Sequence, residues 1–259
     1  HRTYVFASDG DLMEGLSAEA CALAGHLGLG KLIVLYDDNR ISLSGSTSLC
    51  FSEDIDQRFT ACGWQVIPVR NGNDTEAVDQ AIAEAQKEAE RPTLIRLRTT
   101  IGFGAPKKQN TSAAHGAPLG ADELKAAKEK LGWPANPPFF VPEEVLRFFR
   151  NAGASGAKKQ LLWKESFHRY ASAYPEAAAE FERMMKGELP SGWEKGLPVY
   201  GPETKALATR KTSEAVLQVL GASVPELAGG AADLNPSTFS WLKGMGDLQK
   251  PGDPPAERE

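Results

Sequence analysis

No apolar run in this 259-residue sequence approaches the ~20 residues that cross a bilayer; the run at 32–36, among the longest, is the length of one strand. That excludes an apolar transmembrane helix. Cysteine is scarce: Cys21, Cys50 and Cys62 form an odd set with no C-x-x-C and no histidine at zinc-ligand spacing. Reduced thiols in a cytoplasmic protein are expected. Dense basic runs are missing too, and 29 Lys+Arg against 34 Asp+Glu leave a net charge of −5, so the electrostatic footprint of a nucleic-acid binder is absent. Residues 1–6 have neither the basic start, the longer apolar block nor the cleavage site of a secretory signal, and are expected to form a strand. The remainder is ordinary for a folded chain, with 41% hydrophobic and 24% charged residues, and the length suits one or two domains.

The first hundred residues alternate short apolar, β-branched runs with stretches of helical period, which predicts an α/β fold with a parallel sheet flanked by helices. Strands are expected at about 4–8, 32–37, 64–69 and 93–99. Between the first two, Leu16, Ala20, Leu23, Ala24 and Leu27 fall on one helix face, stopped by Gly28 and Gly30. Asp74 is placed to cap a helix with the stripe Ala77, Val78, Ala81, Ile82 and Ala85, which Pro92 is expected to end. Residues 101–119 lack periodicity, carry three glycines and two prolines, and read as a functional loop. Helix returns at 121–132, an extended connector follows at 133–138, and 141–186 reads as an aromatic-bearing helical arm. A further unit starts near Pro202, with helix at 206–219 and a strand at 226–233 running into a glycine-rich turn; the tail at 251–259 is expected to be disordered.

Ligands of open parallel sheets bind beyond the carboxyl ends of the strands. Two such loops stand out, one beginning Ser8-Asp9-Gly10 and the other Asp37-Asp38-Asn39-Arg40-Ile41, so Asp9 and Asn39 should face one crevice. A carboxylate and an amide oxygen, completed by a backbone carbonyl, water and two phosphate oxygens, suit the octahedral shell of Mg²⁺. Gly10 lets the backbone approach a diphosphate, and helix-start amides near Gly15 favour its charge. Asp-Gly and Asn after strands are equally ordinary turn and cap residues. Glu14 and Glu19 can be plain first-turn acids, Arg210-Lys211 a solvated helix face, and His115 a simple loop histidine.

Four blocks in one order tip the balance: D-G-x-x-x-E-G-x-x-x-E-A-x-x-x-A-G from Asp9, L-I-x-x-Y-D-D-N-x-I from Leu32, I-G-F-G followed by H-G-A-P-L at 101–119, and G-G-x-A-D-L-x-P-S from Gly229. Over residues 1 to about 245 the chain resembles transketolase, a thiamine diphosphate-dependent family of the pentose phosphate pathway; a fragment of the related dihydroxyacetone synthase stays open. The resemblance implies an incomplete thiamine diphosphate-binding fold with a helical linker: 1–134 the diphosphate- and metal-binding domain without its amino-terminal part, 135–200 the arm and linker, and 201–259 the start of a pyrimidine-binding domain. It implies that Asp9, Asn39 and the Ile41 carbonyl bind Mg²⁺ or Ca²⁺, with Gly10 against the diphosphate and Ile101 and His115 near the thiazolium ring and substrate. Glu14 and Glu19 match carboxylates linking the two active sites of a homodimer. Arg210 and Ser237 match positions that hold a sugar phosphate, and Asp233 an acid reaching the cofactor from a partner subunit. A neutral imidazole at His115 suits proton transfer to a substrate hydroxyl.

Two departures shape the expected function. Ser8 stands where the family has glycine, which is expected to lower cofactor affinity. The family's leading histidines, its pyrimidine-activating glutamate and its third domain do not fall within these residues. The activity implied is transfer of a two-carbon ketol unit from a ketose phosphate to an aldose phosphate, with this chain alone inactive; a non-catalytic, transketolase-like interaction protein is the alternative.

Overall fold

The computed structural model describes residues 1–231, 233–250 and 252–254. It divides into two units, residues 1–140 with 249–254 and residues 141–248.

In the first unit, β1 (Thr3–Ser8) leads through α1 (Asp9–Met13) and α2 (Gly15–His26) into β2 (Leu32–Asp38). The two-residue strands β3 (Ile41–Ser42) and β4 (Gly45–Ser46) form a small hairpin, and α3 (Ile55–Ala61), β5 (Gln65–Val69), α4 (Thr75–Ala85), β6 (Thr93–Arg98) and α5 (Ala121–Lys130) follow. The four long strands make one parallel sheet in the order β1-β2-β6-β5, with Ser8 opposite Asp37 and Asp38 opposite Arg98. The carboxyl ends of β1, β2 and β6 are therefore neighbours, which is what positions the site. The inner strands β2 and β6 read as apolar runs because both their faces are covered. Val34, Tyr36 and Leu94 pack on one face with α2, α3 and Trp64; Ile33, Leu35 and Ile95 pack on the other with Ala81 and Ala85 of α4. Asp74 caps α4, its carboxylate accepting from the Glu76 and Ala77 amides at 3.1 Å each.

Three expectations need correction. The buried side of α2 is not the large apolar stripe: Leu16 is 75% exposed and Leu23 and Ala20 face solvent, whereas Cys21 and Ala24 are buried, with Leu27 beyond them. The reason is close approach. A Cβ at Gly25 would overlap the Cys62 carbonyl, and the Trp64 indole donates to the Cys21 carbonyl at 2.9 Å, so only small residues fit this seam. Second, α4 ends at Ala85 rather than at Pro92; a turn intervenes in which Glu88 accepts from the Glu90 amide and Arg91, and buried Pro92 only precedes β6. Third, no strand forms at 226–233 among the described residues: a turn follows the helix at 209–223, and no strand in that unit offers a ladder partner.

The second unit holds α6 (Glu143–Ala173), α7 (Pro175–Met185) and α8 (Thr209–Ser223). The helical arm forms as expected, with Trp163 stacked on Phe167 at 5.2 Å and Phe167 against Phe181 at 5.5 Å. Arg183 near the end of α7 holds Glu226 through paired bonds of 2.7 and 2.9 Å. Of the tail, Pro251 and 255–259 lie outside the described residues, as does Ala232 of the glycine-rich block. No helix among the described residues is long and apolar enough to cross a membrane.

Candidate functional site

The site grows from the ends of β1 and β2. Ser8 keeps an ordinary extended backbone, φ −115° and ψ 176°, and both its amide and its hydroxyl donate to the Asp11 carboxylate, at 2.8 and 2.7 Å. Those bonds hold Asp11 below the usual carboxylate range and start α1. The next residue, Asp9, is turned inward and only 2% exposed. Its Oδ1 accepts from the Tyr36 hydroxyl at 2.6 Å and its Oδ2 from the Arg40 amide at 3.1 Å. Burial pushes the Asp9 pKa up, the Tyr36 hydrogen bond opposes that, and the neighbouring Asp38 charge adds to it. Arg40 presents its amide because β2 ends in a left-handed turn, with Arg40 at φ 61°. Asn39, also buried, accepts the Ile41 amide on Oδ1 at 2.9 Å and donates to Asp37 at 3.1 Å.

Asp9 and Asn39 thus both bond to one short turn, the first accepting the Arg40 amide and the second the Ile41 amide. They fit a hard cation and a diphosphate. Each carboxylate oxygen of Asp9 and the Oδ1 of Asn39 keeps a further lone pair, and all the donors are oxygen. A Cβ at Gly10 would meet nothing nearer than the Ser8 Oγ at 3.9 Å, so the backbone there stands open to a bulky anion. No cluster of three or more His, Cys, Asp or Glu side chains able to hold a metal occurs among the described residues, so an ion here would draw on the amide, the carbonyl and the oxygens of its own ligand.

The other expected residues scatter further. Glu14 joins α1 to α2 and Glu19 lies on α2, both exposed. Ile101 comes three residues after β6, and its carbonyl accepts the Asn110 amide at 2.9 Å. His115 closes a short 3-10 turn, Ser112–Ala114, and is half-buried without a hydrogen bond to Asp9 or Asn39. The loop that carries both is folded: the Glu123 carboxylate accepts the Lys107 and Lys108 amides, and Gln109 accepts the Gly104 amide at 2.9 Å. In the second unit Asp233 and Ser237 are exposed. Arg210 lies with its guanidinium 5.6 Å from the centre of the Phe239 ring, and the Lys211 ammonium is 3.4 Å from the same ring.

Sequence reasoning missed Tyr36, Phe239 and a set of half-buried charges around Asp38. A cavity of about 640 Å³ is lined by Asp9, Tyr36, Asp38, Arg96 and the loop at 46–56; of the expected residues only Asp9 borders it. Arg96 pairs with Asp56 through two bonds of 2.7 Å and with Asp38 at 3.1 Å, and these partners hold its pKa above the ordinary value. Arg98 donates to the Asp38 carbonyl at 2.6 Å. The available signal was the presence of Asp38, Arg96 and Arg98 inside strands that otherwise read as apolar.

An open parallel sheet whose strand ends gather a buried carboxylate, an amide oxygen and an unhindered glycine defines a module for a phosphorylated cofactor held with a hard cation. The family model described as "Transketolase, thiamine diphosphate binding domain" matches residues 1–190. The chain belongs to the transketolase family, through that domain. It is 51% identical over 251 residues to a transketolase of Nostoc sp., covering 96% of this chain and 37% of that protein. It is 48% identical to a chloroplastic transketolase of Spinacia oleracea, again over 96% of this chain and 34% of that one. A Pichia stipitis transketolase structure in complex with sedoheptulose-7-phosphate superposes with a TM-score of 0.87 at 48% identity, covering 96% of this chain and 37% of that one. A Campylobacter jejuni transketolase structure gives 0.81 at 35% identity, covering 96% and 38%. The chain thus spans little more than a third of the proteins it matches.

Proposed function

We propose that this chain is the diphosphate- and metal-holding part of an enzyme that transfers a two-carbon ketol unit from a ketose phosphate to an aldose phosphate, as in the pentose phosphate pathway. The observation that carries the reading is the buried Asp9 carboxylate, set beside Asn39 and Ile41 at the ends of adjacent strands. When bound, thiamine diphosphate supplies the carbanion chemistry and the electron sink for carbon–carbon cleavage. The chain's own residues bind, orient and move protons. Asp9, Asn39 and the Ile41 carbonyl hold Mg²⁺ or Ca²⁺, and Gly10 gives the diphosphate room. Ile101 and His115 flank the reacting groups, with the His115 imidazole passing a proton to and from a substrate hydroxyl. Glu14 and Glu19 extend a hydrogen-bonded network between the sites of a homodimer, Asp233 serves the cofactor held by a partner subunit, and Arg210 and Ser237 hold the sugar phosphate.

In this reading residues 1–134 are the cofactor domain, 135–200 the arm and linker, and 201–259 the start of a pyrimidine-binding domain. The unpaired cysteines support a cytoplasmic location, although some relatives are chloroplastic by name. Titration calorimetry tests the reading: thiamine diphosphate should bind the chain only with Mg²⁺ or Ca²⁺ present, and Asp9→Asn should weaken that binding at least ~10-fold. Metal-independent binding, or none, would favour a non-catalytic interaction protein. The chain alone should show no ketol transfer, and measurable turnover would refute that part.

A further inference from the structure

We propose that Tyr36 is a positioning residue for the metal-binding carboxylate: its hydroxyl sets the orientation of Asp9 and thereby the affinity of the site for a hard divalent cation. The inference rests on the reading of Asp9 as a metal ligand and extends it to a residue that touches neither metal nor cofactor. Tyr36 and Asp9 are 27 positions apart in sequence, both only 2% exposed, and brought together by the pairing of β1 with β2. Their 2.6 Å separation is that of a charge-assisted bond. With the Arg40 amide on the other oxygen at 3.1 Å, each carboxylate oxygen has one fixed donor, so the carboxylate plane is defined and one lone-pair direction per oxygen is left outward.

The surroundings make this arrangement specific. The phenol ring belongs to the apolar layer with Leu12, Val34 and Phe59, so it cannot swing away. Asp38, the carboxylate that could compete for the hydroxyl, is held by Arg96 at 3.1 Å, Arg98 at 3.5 Å and Arg40 at 3.7 Å. Arg96 stands opposite Tyr36 in the β2–β6 register. Three cations on Asp38 therefore leave the tyrosine proton to Asp9. Without that donor, a nearly buried oxygen would lose its partner, and the carboxylate would turn or take up a proton, either of which spoils a cation site. Partners of this kind behind metal ligands typically contribute ~10–100-fold in affinity.

Tyr36→Phe keeps the ring in its layer and removes only the hydroxyl, which separates positioning from packing. The measurement is Mn²⁺ binding to the full chain with thiamine diphosphate present, read from the paramagnetic signal of free Mn²⁺. Tyr36→Phe should raise the Mn²⁺ dissociation constant ~10-fold or more, and Asp9→Asn should abolish binding. An unchanged constant in Tyr36→Phe, with Asp9→Asn binding lost, would overturn the role of Tyr36 while leaving Asp9 as ligand. No Mn²⁺ binding to the unaltered chain, or undiminished binding to Asp9→Asn, would overturn the metal reading itself and this inference with it. Should Tyr36→Phe fail to fold, ¹³Cζ-tyrosine labelling of the unaltered chain decides: one of its five tyrosine resonances should move on adding Mg²⁺ with thiamine diphosphate. A set that does not respond would overturn the inference.

Discussion

At the scale of single residues, environment decides what a side chain can do. Ser8, which the family resemblance made a liability, sits in a backbone conformation open to any residue and has both polar groups engaged by Asp11. The backbone at Ser8 is therefore free of strain, and its hydroxyl is committed to Asp11. The cysteines show the same dependence. Cys50 is exposed, whereas Cys21 is buried, and burial followed by the neighbouring Cys62 thiol pushes its pKa up to about 12. A raised thiol pKa means the neutral form dominates at pH 8. Iodoacetamide at pH 8 should accordingly alkylate Cys50 and spare Cys21 until the chain is unfolded in urea. Peptide mass mapping reads this directly, and early labelling of Cys21 in the native chain would contradict it.

At the scale of elements, α2 carries the sharpest test. Gly25 is the point where this helix meets the end of α3, and a methyl group there would overlap the Cys62 carbonyl, which is backbone and cannot yield by a rotamer change. Gly25→Ala should therefore destabilise the chain by ~3 kcal/mol despite alanine's better helix propensity, measured from urea midpoints at constant slope. The same helix marks the limit of what the sequence discloses. Strand positions were legible because buried parallel strands write themselves as apolar runs, and Asp74 was legible as a cap because the bond is local. That Asp9 and Asn39 follow strands was legible too, since both strands read from their apolar runs. The buried face of α2 was not, because periodicity weighs Leu16 and Leu23 as core while the actual seam selects Cys21, Ala24 and Gly25 for smallness. Tyr36, Arg96 and Asp38 stayed hidden for a different reason: their partners lie on other elements distant in sequence, and only the folded sheet brings them together.

At the scale of the whole molecule, the uneven coverage of the sheet dominates behaviour. Within the four-stranded sheet β1 pairs on one side only, and Phe6 is 82% exposed on it, with Tyr4 and Val5 also open to solvent. Such an edge with apolar side chains binds apolar dyes and invites association. The chain should enhance anilinonaphthalene sulfonate fluorescence while native, and Phe6→Lys should cut that enhancement at least in half without lowering the unfolding free energy by more than ~0.5 kcal/mol. Equal fluorescence in the variant would place the dye elsewhere.

The strand order has a consequence in time as well as in space. β6, made last of the four, stands between β2 and β5 and, among the described residues, is the one long strand to which β5 is bonded. During synthesis β1 and β2 can zip together as soon as both have emerged. β5 must wait, carrying unpaired amides and carbonyls, until residues 93–98 arrive to fill the gap. The rate at which this domain assembles is thus tied to the delivery of one short segment, and a pause in translation just before it would hold the half-built sheet in its most vulnerable form.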